Sequence, residues 1–270
     1  MTAGAAALRR ELFGTQVHAV GMAGALAWVR ARVRERRPGY VVTLNGALLV
    51  QAAHDPALRE LVNAAGLVTP DGVGVLVAAR ILGVRLPERV AGIDLAVALC
   101  GEAEREGYRV FLLGGEPGVA ARAADALRAR YPGLVVAGTR HGFFRSEEEP
   151  AVVEAIRQAR PDVLLVALGA PRQERWMRRW LPELQVPVAI GVGGSLDVLA
   201  GRVPRAPAWM QRVGLEWLWR AAREPRRWAV VRTIPPLFLM ALRERARHGR
   251  PDLSPRRDSR RRGQDTMPGR

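Results

Sequence analysis

Short apolar runs alternate along this chain with longer stretches in which apolar residues recur at helical spacing. Runs of Val, Leu and Ile bounded by Gly, Pro or polar residues are typical of strands buried on both faces. They predict strands at residues 40–44, 66–69, 109–113, 134–137, 163–168 and 186–191. The longer stretches predict helices at residues 23–36, 56–65, 72–82, 93–106, 117–130, 147–159 and 172–180.

This alternation predicts an α/β fold, a Rossmann-like parallel sheet with helices on both faces. Residues 1–201 contain all of these elements and are called the body. Residues 202–250, called the appendage, are rich in Trp and Arg and are predicted to be helical. Residues 251–270, called the tail, combine Pro with runs of Arg, and such a composition predicts disorder because it buries little apolar surface.

An apolar stripe in the appendage predicts one amphipathic helix. Its members are Trp209, Met210, Val213, Trp217, Leu218 and Ala221. A stripe of this kind either packs on its own protein or rests on an anionic lipid surface, and the sequence leaves both interpretations open. The surrounding arginines also suit nucleic acid, but no nucleic-acid-binding module is legible in the chain.

Charge is concentrated in the C-terminal part of the chain. The net charge is +16, and residues 202–270 supply +12 of it from 18 Arg and 6 acidic residues. No Lys occurs, so the abundance of Arg is a property of the composition and does not by itself indicate function.

The single Cys100 excludes an internal disulfide framework. The lack of a signal-peptide core and of a spanning apolar run predicts a cytoplasmic protein.

Three polar side chains fall where predicted strands give way to turns or helices, and a fourth lies in a loop that follows them. Thr43 and Asn45 end the first strand, Asp71 follows the second, and Arg89 lies in the loop after the next helix. The carboxyl ends of parallel strands line the ligand crevice of an open α/β sheet. These residues therefore predict one pocket with a hydroxyl, an amide, a carboxylate and a guanidinium, which suits a sugar nucleotide and a proton transfer.

Each of these side chains also has a purely structural interpretation. Asp71 precedes a predicted helix and suits an N-cap, since Asp accepts hydrogen bonds from the first free amides. Arg89 suits a surface ion pair with Glu88 or Asp94 as well as a phosphate clamp. Thr43 and Asn45 are residue types that commonly form turns after a strand. Spacing alone leaves these alternatives open.

Two glycine-rich turns join a predicted strand to a predicted helix. Gly114 and Gly115 lie in the first of them, and Gly193 and Gly194 lie in the second. Glycines at such turns let backbone N–H groups and a helix N-terminus approach a diphosphate. Neither turn matches the dinucleotide-binding or P-loop pattern, so close packing of strand and helix explains them about as well.

A third strand-to-helix turn, at residues 169–174, ends in Gln173 and Glu174. The amide of Gln173 is a candidate ligand group. Glu174 falls in the first turn of the predicted helix, where a carboxylate is favoured by the helix dipole whatever its function. The position of Glu174 alone therefore indicates no chemistry.

Patterns that hold metal ions are not evident. The chain has no Asp-x-Asp motif, and its four His, at positions 18, 54, 141 and 248, have no ligand spacing. We therefore expect no metal and no other cofactor. If a diphosphate leaves during the reaction, arginines or helix termini have to take up its charge.

Seven motifs in order resemble the WecG/TagA/CpsF family of bacterial glycosyltransferases, glycosyltransferase family 26. They are TLN at 43–45, PDG at 70–72, ERVAGID at 88–94, LGGEPG at 113–118, GAPRQE at 169–174, GVGGSLDVLAG at 191–201 and RAPAWMQRVGLEWLWR at 205–220. The resemblance covers about residues 15–235. It identifies the body as a glycosyltransferase domain.

The resemblance implies transfer of an N-acetylmannosamine-type sugar, with inversion, from a UDP donor to polyprenyl-diphosphate-linked N-acetylglucosamine. Such a step belongs to the synthesis of wall teichoic acid or another surface polysaccharide. By resemblance Asp71 is the base that deprotonates the acceptor hydroxyl, and Thr43, Asn45, Arg89 and Gln173 complete the pocket. A positioned carboxylate base typically contributes about 10²–10⁴-fold to a rate.

The resemblance gives the appendage two roles, which are closing the site and bringing the enzyme to the cytoplasmic face of the membrane. Arg220 and Arg227 match the basic pattern of the family, and we expect them to neutralise the leaving diphosphate. The chain departs from that pattern at Val230, where a further basic residue is common. Arg232 is the nearest candidate to replace it.

Other functions stay open at this point. Family members with another UDP-sugar donor, such as a uronic acid, share these motifs, and Leu196 and Val198 replace aromatic residues often seen after the second glycine-rich turn. A nucleotide-sugar-binding protein without turnover is a further alternative. Binding of nucleic acid is disfavoured by the nearly neutral body. The expected partners are a UDP-sugar, a lipid-linked acceptor and a membrane surface, and a homo-oligomer is left open.

Overall fold

The computed structural model describes residues 8–212, 215–223 and 228–248. Its strands are β1 (Arg9–Leu12), β2 (Thr15–His18), β3 (Gly39–Leu44), β4 (Leu67–Pro70), β5 (Arg109–Gly114), β6 (Val135–Arg140), β7 (Val163–Ala167) and β8 (Val188–Gly191). The helices of the body are α1 (Met22–Glu35), α2 (Gly46–His54), α3 (Pro56–Asn63), α4 (Val73–Ile81), α5 (Gly92–Glu106), α6 (Val119–Arg130), α7 (Glu149–Ala159), α8 (Arg172–Leu184) and α9 (Ser195–Leu199). Those of the appendage are α10 (Ala208–Arg212), α11 (Glu216–Arg223), α12 (Trp228–Val231) and α13 (Ile234–His248).

Six of the described strands form one parallel sheet in the order β4-β3-β8-β7-β5-β6. Successive side chains of a strand point to opposite faces, and here both directions are apolar. Val41 packs in the core beneath α1, α5, α6 and α9, whereas Val42 packs in the core beneath α2, α3, α4, α7 and α8. The predicted α/β fold with helices on both faces of a parallel sheet is confirmed.

A hairpin of β1 and β2, which the apolar pattern did not predict, covers the outer edge of β4. The backbone N–H of Val68 donates to Nδ1 of His18 over 3.0 Å. Burial lowers the pKa of His18, and the charge of Arg9 lowers it further, so the ring remains a neutral acceptor. An unpaired strand edge can form hydrogen bonds with strands of other chains. The bond from Val68 to the His18 imidazole occupies the middle of the β4 edge.

Helix α13 of the appendage is part of the core of the body. Leu237 and Ala241 are fully buried in the core that also contains α2 and α4. A Cβ added at Gly46 or Gly74 would lie 3.1 or 3.4 Å from the Leu237 side chain, so the two glycines leave room for it. The guanidinium of Arg245 donates to the carbonyl of Ile81 over 2.6 Å and ties the same helix to the end of α4.

The local structure differs from the predicted elements at two places. Residues 46–54, for which the apolar pattern predicts no element, form α2. The single amphipathic helix predicted over the stripe is wrong, because α10 and α11 are separate and Leu215 lies between them, donating its N–H to Met210 over 2.8 Å. The stripe also does not share one face, since Met210 and Ala221 are buried while Trp209 and Leu218 are exposed.

The predicted disorder of the tail falls on residues outside the described part of the chain and stays a prediction.

The Cys100 thiol is buried within α5, and burial raises its pKa to about 12. A thiol of this kind is inert toward electrophiles and packs as a small apolar group.

We expect Leu237→Ala to lower the free energy of unfolding by about 2–4 kcal/mol, because it opens a cavity between α13 and the body. Leu239→Ala is the matched control, since the Leu239 side chain on the same helix is exposed and its truncation should change stability by less than about 0.5 kcal/mol. Urea denaturation of the full chain measures both. Equal effects would show that α13 does not belong to the core.

Candidate active site

The carboxyl ends of the parallel strands form one edge of the sheet, and the predicted site residues follow those ends. The backbone N–H of Asp71, just after β4, donates to the carbonyl of Leu44 at the end of β3 over 2.9 Å. The Asp71 and Asn45 positions are therefore neighbours on this edge. The prediction that two separate motifs meet there agrees with the order of the strands.

Thr43 fastens the two central strands together. Its hydroxyl is buried and donates to the carbonyl of Gly191, on β8, over 2.7 Å. Gly92 at the start of α5 lies against the same side chain, since a Cβ there would be 3.1 Å from Thr43 Oγ1. The hydroxyl that was predicted to bind substrate is thus bonded within the protein, beneath the surface of the site.

Asn45 is the N-cap of α2. Its Oδ1 accepts from the backbone N–H of Leu48 over 2.9 Å, so the amino group of the side chain is the part able to donate to a ligand. Asp71 is half-buried and is not the N-cap of α4, because that position is occupied by Gly72. Asp71 thus does not occupy the N-cap position that its sequence suggested.

Arg89 is held by carboxylates on two elements. Its Nη2 lies 3.6 Å from Oδ2 of Asp94 on α5, and its Nη1 lies 3.4 Å from Oε2 of Glu216 on α11. The ion-pair interpretation of the sequence thus has a counterpart in the structure, with Asp94 as one of the two carboxylates foreseen. Glu88, the other one, accepts a hydrogen bond from the backbone N–H of Met22.

Gln173 connects α8 to the glycine turn after β8. Its Oε1 accepts from the backbone N–H of Gly193 over 3.0 Å, and its Nε2 donates to Oε1 of Glu174 over 2.8 Å. The side chain is buried, and a Cβ added at Gly191 would lie 2.8 Å from its Nε2. Gln173 therefore lies beneath the turn after β8 and supports it. The N–H of Gly193 is bonded to Gln173 and not free for a ligand.

The turn after β5 needs its glycines for close packing. Gly114 has a φ of 139°, and a Cβ there would overlap the carbonyl of Ala167 on the adjacent strand β7. Gly115 follows with a φ of 69°, and its carbonyl accepts from the N–H of Gly142 over 2.7 Å. Close packing therefore explains Gly114, although the neighbour is a strand and not a helix, and it does not exclude a ligand next to Gly115.

A cleft of about 570 Å³ opens between these turns. Its lining includes backbone of the two glycine turns and the side chains of Glu116, Phe143, Arg172, Asp197 and Arg202. Arg202 lies 2.6 Å from Glu116 and 3.8 Å from Asp197, so it bridges two carboxylates across the rim. The structure brings Gly115, Gly193 and Gly194 together in this cleft.

Comparison with known proteins gives a consistent result. The sequence profile of the glycosyl transferase WecG/TagA/CpsF family matches residues 10–251. A Bacillus spizizenii protein is 31% identical over 217 residues, 80% of this chain and 84% of the relative. A Bacillus subtilis protein is 34% identical over 211 residues, 78% and 82% of the two chains. Both relatives are named N-acetylglucosaminyldiphosphoundecaprenol N-acetyl-beta-D-mannosaminyltransferase.

The chain belongs to the WecG/TagA/CpsF family of glycosyl transferases. The resemblance stated from the motifs is thereby confirmed, and so is the prediction that the chain is a glycosyltransferase. The individual roles of Asp71, Arg89 and the other site residues remain predictions.

Two basic residues of this glycosyltransferase were predicted to meet the leaving diphosphate. Arg220 lies in α11, but its side chain is outside the described part of the structure. Arg227 lies wholly outside the described residues. Val230, where the family pattern has a basic residue, is exposed, and Arg232 is exposed in the turn after α12.

The described residues contain no group of three or more His, Cys, Asp or Glu side chains placed to hold a metal ion. The expectation that this transferase works without a metal was made from the sequence, and it stays an expectation.

Glu174, whose position in the sequence indicates no chemistry, lies in an unusual environment in the structure. It is fully buried, its Oε2 has no hydrogen-bond partner among the described residues, and burial raises its pKa to about 7 against the donation from Gln173. A first-turn Glu is ordinary in sequence, so only its burial beside Gln173 distinguishes it. Arg172, one residue before Gln173, is likewise a cleft residue that spacing did not single out.

We expect Glu174→Gln to change the pH dependence of stability. A raised pKa means that the folded protein keeps a proton that the unfolded chain releases, so stability is full below about pH 4.5 and falls as pH rises through about 7. The variant lacks this loss, and its free energy of unfolding relative to wild type should improve between about pH 5 and about pH 8. Denaturant titrations across this range measure it.

Glu183→Gln, at an exposed position of the same helix, is the control and should show no such trend. A difference between Glu174→Gln and wild type that does not vary with pH would contradict the assignment of a buried carboxyl with a raised pKa.

Proposed function

We propose that this glycosyltransferase moves an N-acetylmannosamine-type sugar from a UDP donor to polyprenyl-diphosphate-linked N-acetylglucosamine, with inversion at the anomeric carbon. The names of both Bacillus relatives support the sugar and the acceptor. The observation that carries the proposal is the position of Asp71, next to Asn45 at the carboxyl edge and on the same edge as the cleft between the glycine turns.

Asp71 is the proposed general base. The acceptor hydroxyl attacks the anomeric carbon on the face opposite the departing UDP, its proton passes to the Asp71 carboxylate, and the bond from the carbon to the diphosphate oxygen breaks. One displacement of this kind inverts the configuration. The bond from the Asp71 N–H to Leu44 fixes the backbone of the base to the end of the neighbouring strand, and preorganisation of this kind favours proton transfer.

The cleft is the proposed site for the UDP part of the donor. Gly115 and Gly194 line it, so the diphosphate can approach backbone closely there, as it does at other glycine-rich turns. Arg172 supplies a positive charge at the rim and is itself held by the carbonyls of Gly142 and Phe144 over 3.1 and 3.3 Å. Arg220 and Arg227 are proposed to add charge from the appendage as the leaving group forms.

Asp71→Asn should lower acceptor-dependent release of UDP by about a hundredfold or more, because the amide cannot accept the proton. The assay uses UDP-N-acetylmannosamine, a short-chain lipid-linked N-acetylglucosamine diphosphate and EDTA. Asp125→Asn, at an exposed position of α6, is the matched control and should retain wild-type activity.

Each result separates the alternatives. Wild-type activity in the Asp71→Asn variant would overturn the base assignment. No release by a wild-type protein that still binds UDP would favour another donor sugar, and failure with a panel of donors would favour a binding protein without turnover. Activity that requires a divalent cation would contradict the metal-free mechanism.

The appendage is the proposed contact with the membrane surface. Within the described ranges no helix is long and apolar enough to cross a bilayer. Among the described side chains of the appendage, the large exposed apolar ones are Trp209, Leu218, Trp228, Val230, Leu239 and Leu242. Large apolar groups beside many arginines suit a surface that rests in the headgroup region of anionic lipid.

Trp209→Ala combined with Trp228→Ala should weaken binding to vesicles that contain phosphatidylglycerol, since both indoles are more than half exposed. We expect a loss of about tenfold or more in sedimentation assays. Val135→Ala, which removes an exposed apolar side chain from β6 in the body, should leave vesicle binding unchanged. Equal binding by all three proteins would remove the support for this membrane contact.

A further inference from the structure

Four charged side chains form a closed ring between the body and the appendage. Besides its contact with Arg89, Asp94 on α5 receives a hydrogen bond from Arg205, which precedes α10. Nε of Arg205 lies 3.8 Å from Oε1 of Glu216 on α11, and the other oxygen of Glu216 lies 3.4 Å from Arg89. Each arginine therefore contacts both carboxylates, and the charges of the ring cancel. We call these four residues the ion ring.

The ion ring is better shielded from water than an ordinary surface ion pair. Its side chains are between 12% and 34% exposed, with Glu216 the most buried and Asp94 the least. Partial burial strengthens the attraction between charges and reduces screening by salt. It also makes the loss of one partner harmful, because the charge left behind remains partly buried without compensation.

The ion ring supplies directional contacts between α11 and the body. Among the described side chains of α11, Ala221 is the buried one, and its apolar surface is small. The indole of Trp219 donates to the carbonyl of Pro204 over 3.2 Å, and the Arg223 guanidinium lies over the Trp219 ring. Those contacts are internal to the appendage, so they shape it but do not attach it to the body.

A series of contacts also connects the ion ring to the proposed base, Asp71. The residue after Arg89, Val90, donates its N–H to the carbonyl of Pro70 over 2.8 Å, and its own carbonyl accepts from the Thr69 hydroxyl over 3.4 Å. Pro70 precedes Asp71 in the chain. A continuous series of contacts therefore runs from Glu216 through Arg89 and Val90 to the end of β4.

We propose that the ion ring is a latch that fixes α11 against the loop before α5, so that Arg205 and Glu216 are positioning residues for the reaction. This inference rests on the proposed function. Arg89 then acts chiefly through the latch, by holding the appendage and the loop beside Asp71, rather than as a phosphate clamp, which is the other interpretation that its sequence left open. The two roles of Arg89 have different consequences for binding and for turnover.

The first test follows hydrogen exchange in the full chain and needs no activity. Glu216→Gln keeps the shape of the side chain but removes its charge, and we expect amides in residues 216–223 to exchange about tenfold faster or more. Amides of β7 and β8 should not change. Glu60→Gln, an exposed position of α3, is the matched control and should leave exchange as in wild type.

Variants of the other side of the ring keep this test independent of one substitution. Asp94→Asn should accelerate exchange in residues 216–223 as Glu216→Gln does, whereas Arg205→Lys keeps the charge and should preserve most of the protection. Unchanged exchange in both Glu216→Gln and Asp94→Asn would overturn the latch, whatever the enzyme is found to transfer.

The second test separates a latch from a clamp. If Arg89 acts through the ring, Arg89→Gln and Glu216→Gln should each lower kcat by about three- to thirtyfold, and the double variant should be no worse than the poorer single variant. The affinity for UDP, measured by calorimetry, should stay within about twofold of wild type in all three. Additive losses, or a UDP affinity lost with Arg89→Gln alone, would overturn this role of Arg89.

Discussion

Parallel alignment of the strands is the constraint on which the rest of this structure depends. Because each connection returns the chain to the same end of the sheet, the turns after β3, β4, β5, β7 and β8 reach one edge. The bond from the Thr43 hydroxyl to the Gly191 carbonyl fastens the two central strands at that edge. Gln173 adds a second fastening, from α8 to the turn after β8. The order of the strands therefore places the turns of the candidate site at one edge, and the side chains of Thr43 and Gln173 then hold those turns in position.

Much of this arrangement could be predicted from the sequence because strands buried on both faces leave a strong apolar signal. The strand predicted at residues 40–44 corresponds to β3, which begins one residue earlier at Gly39. The polar residues that follow the strands lie on the expected edge. The hairpin of β1 and β2 left no such signal, since its strands mix polar and apolar residues. Its value to the fold depends on His18 meeting Val68, which no local pattern reveals.

The positions of the site residues were more predictable than their bonds. Strand ends indicated where Thr43 and Gln173 lie, but not that both side chains are buried and bonded within the protein. The partner of Arg89 on α11 is 127 residues away in the chain, and such pairs depend on how the appendage folds back. Glu174 shows the same limit, since its sequence position is ordinary and its raised pKa comes from packing.

The place of α13 in the core has a consequence for how the protein would meet a lipid surface. One side of this helix is sealed against the body by Leu237 and Ala241, while Leu239 and Leu242 face solvent. If the appendage makes the proposed membrane contact, that contact is preorganised, unlike peptides that become helical only on contact and lose about 2–5 kcal/mol of binding free energy to ordering. Binding and release would then leave the fold intact, so that one molecule could bind the bilayer repeatedly.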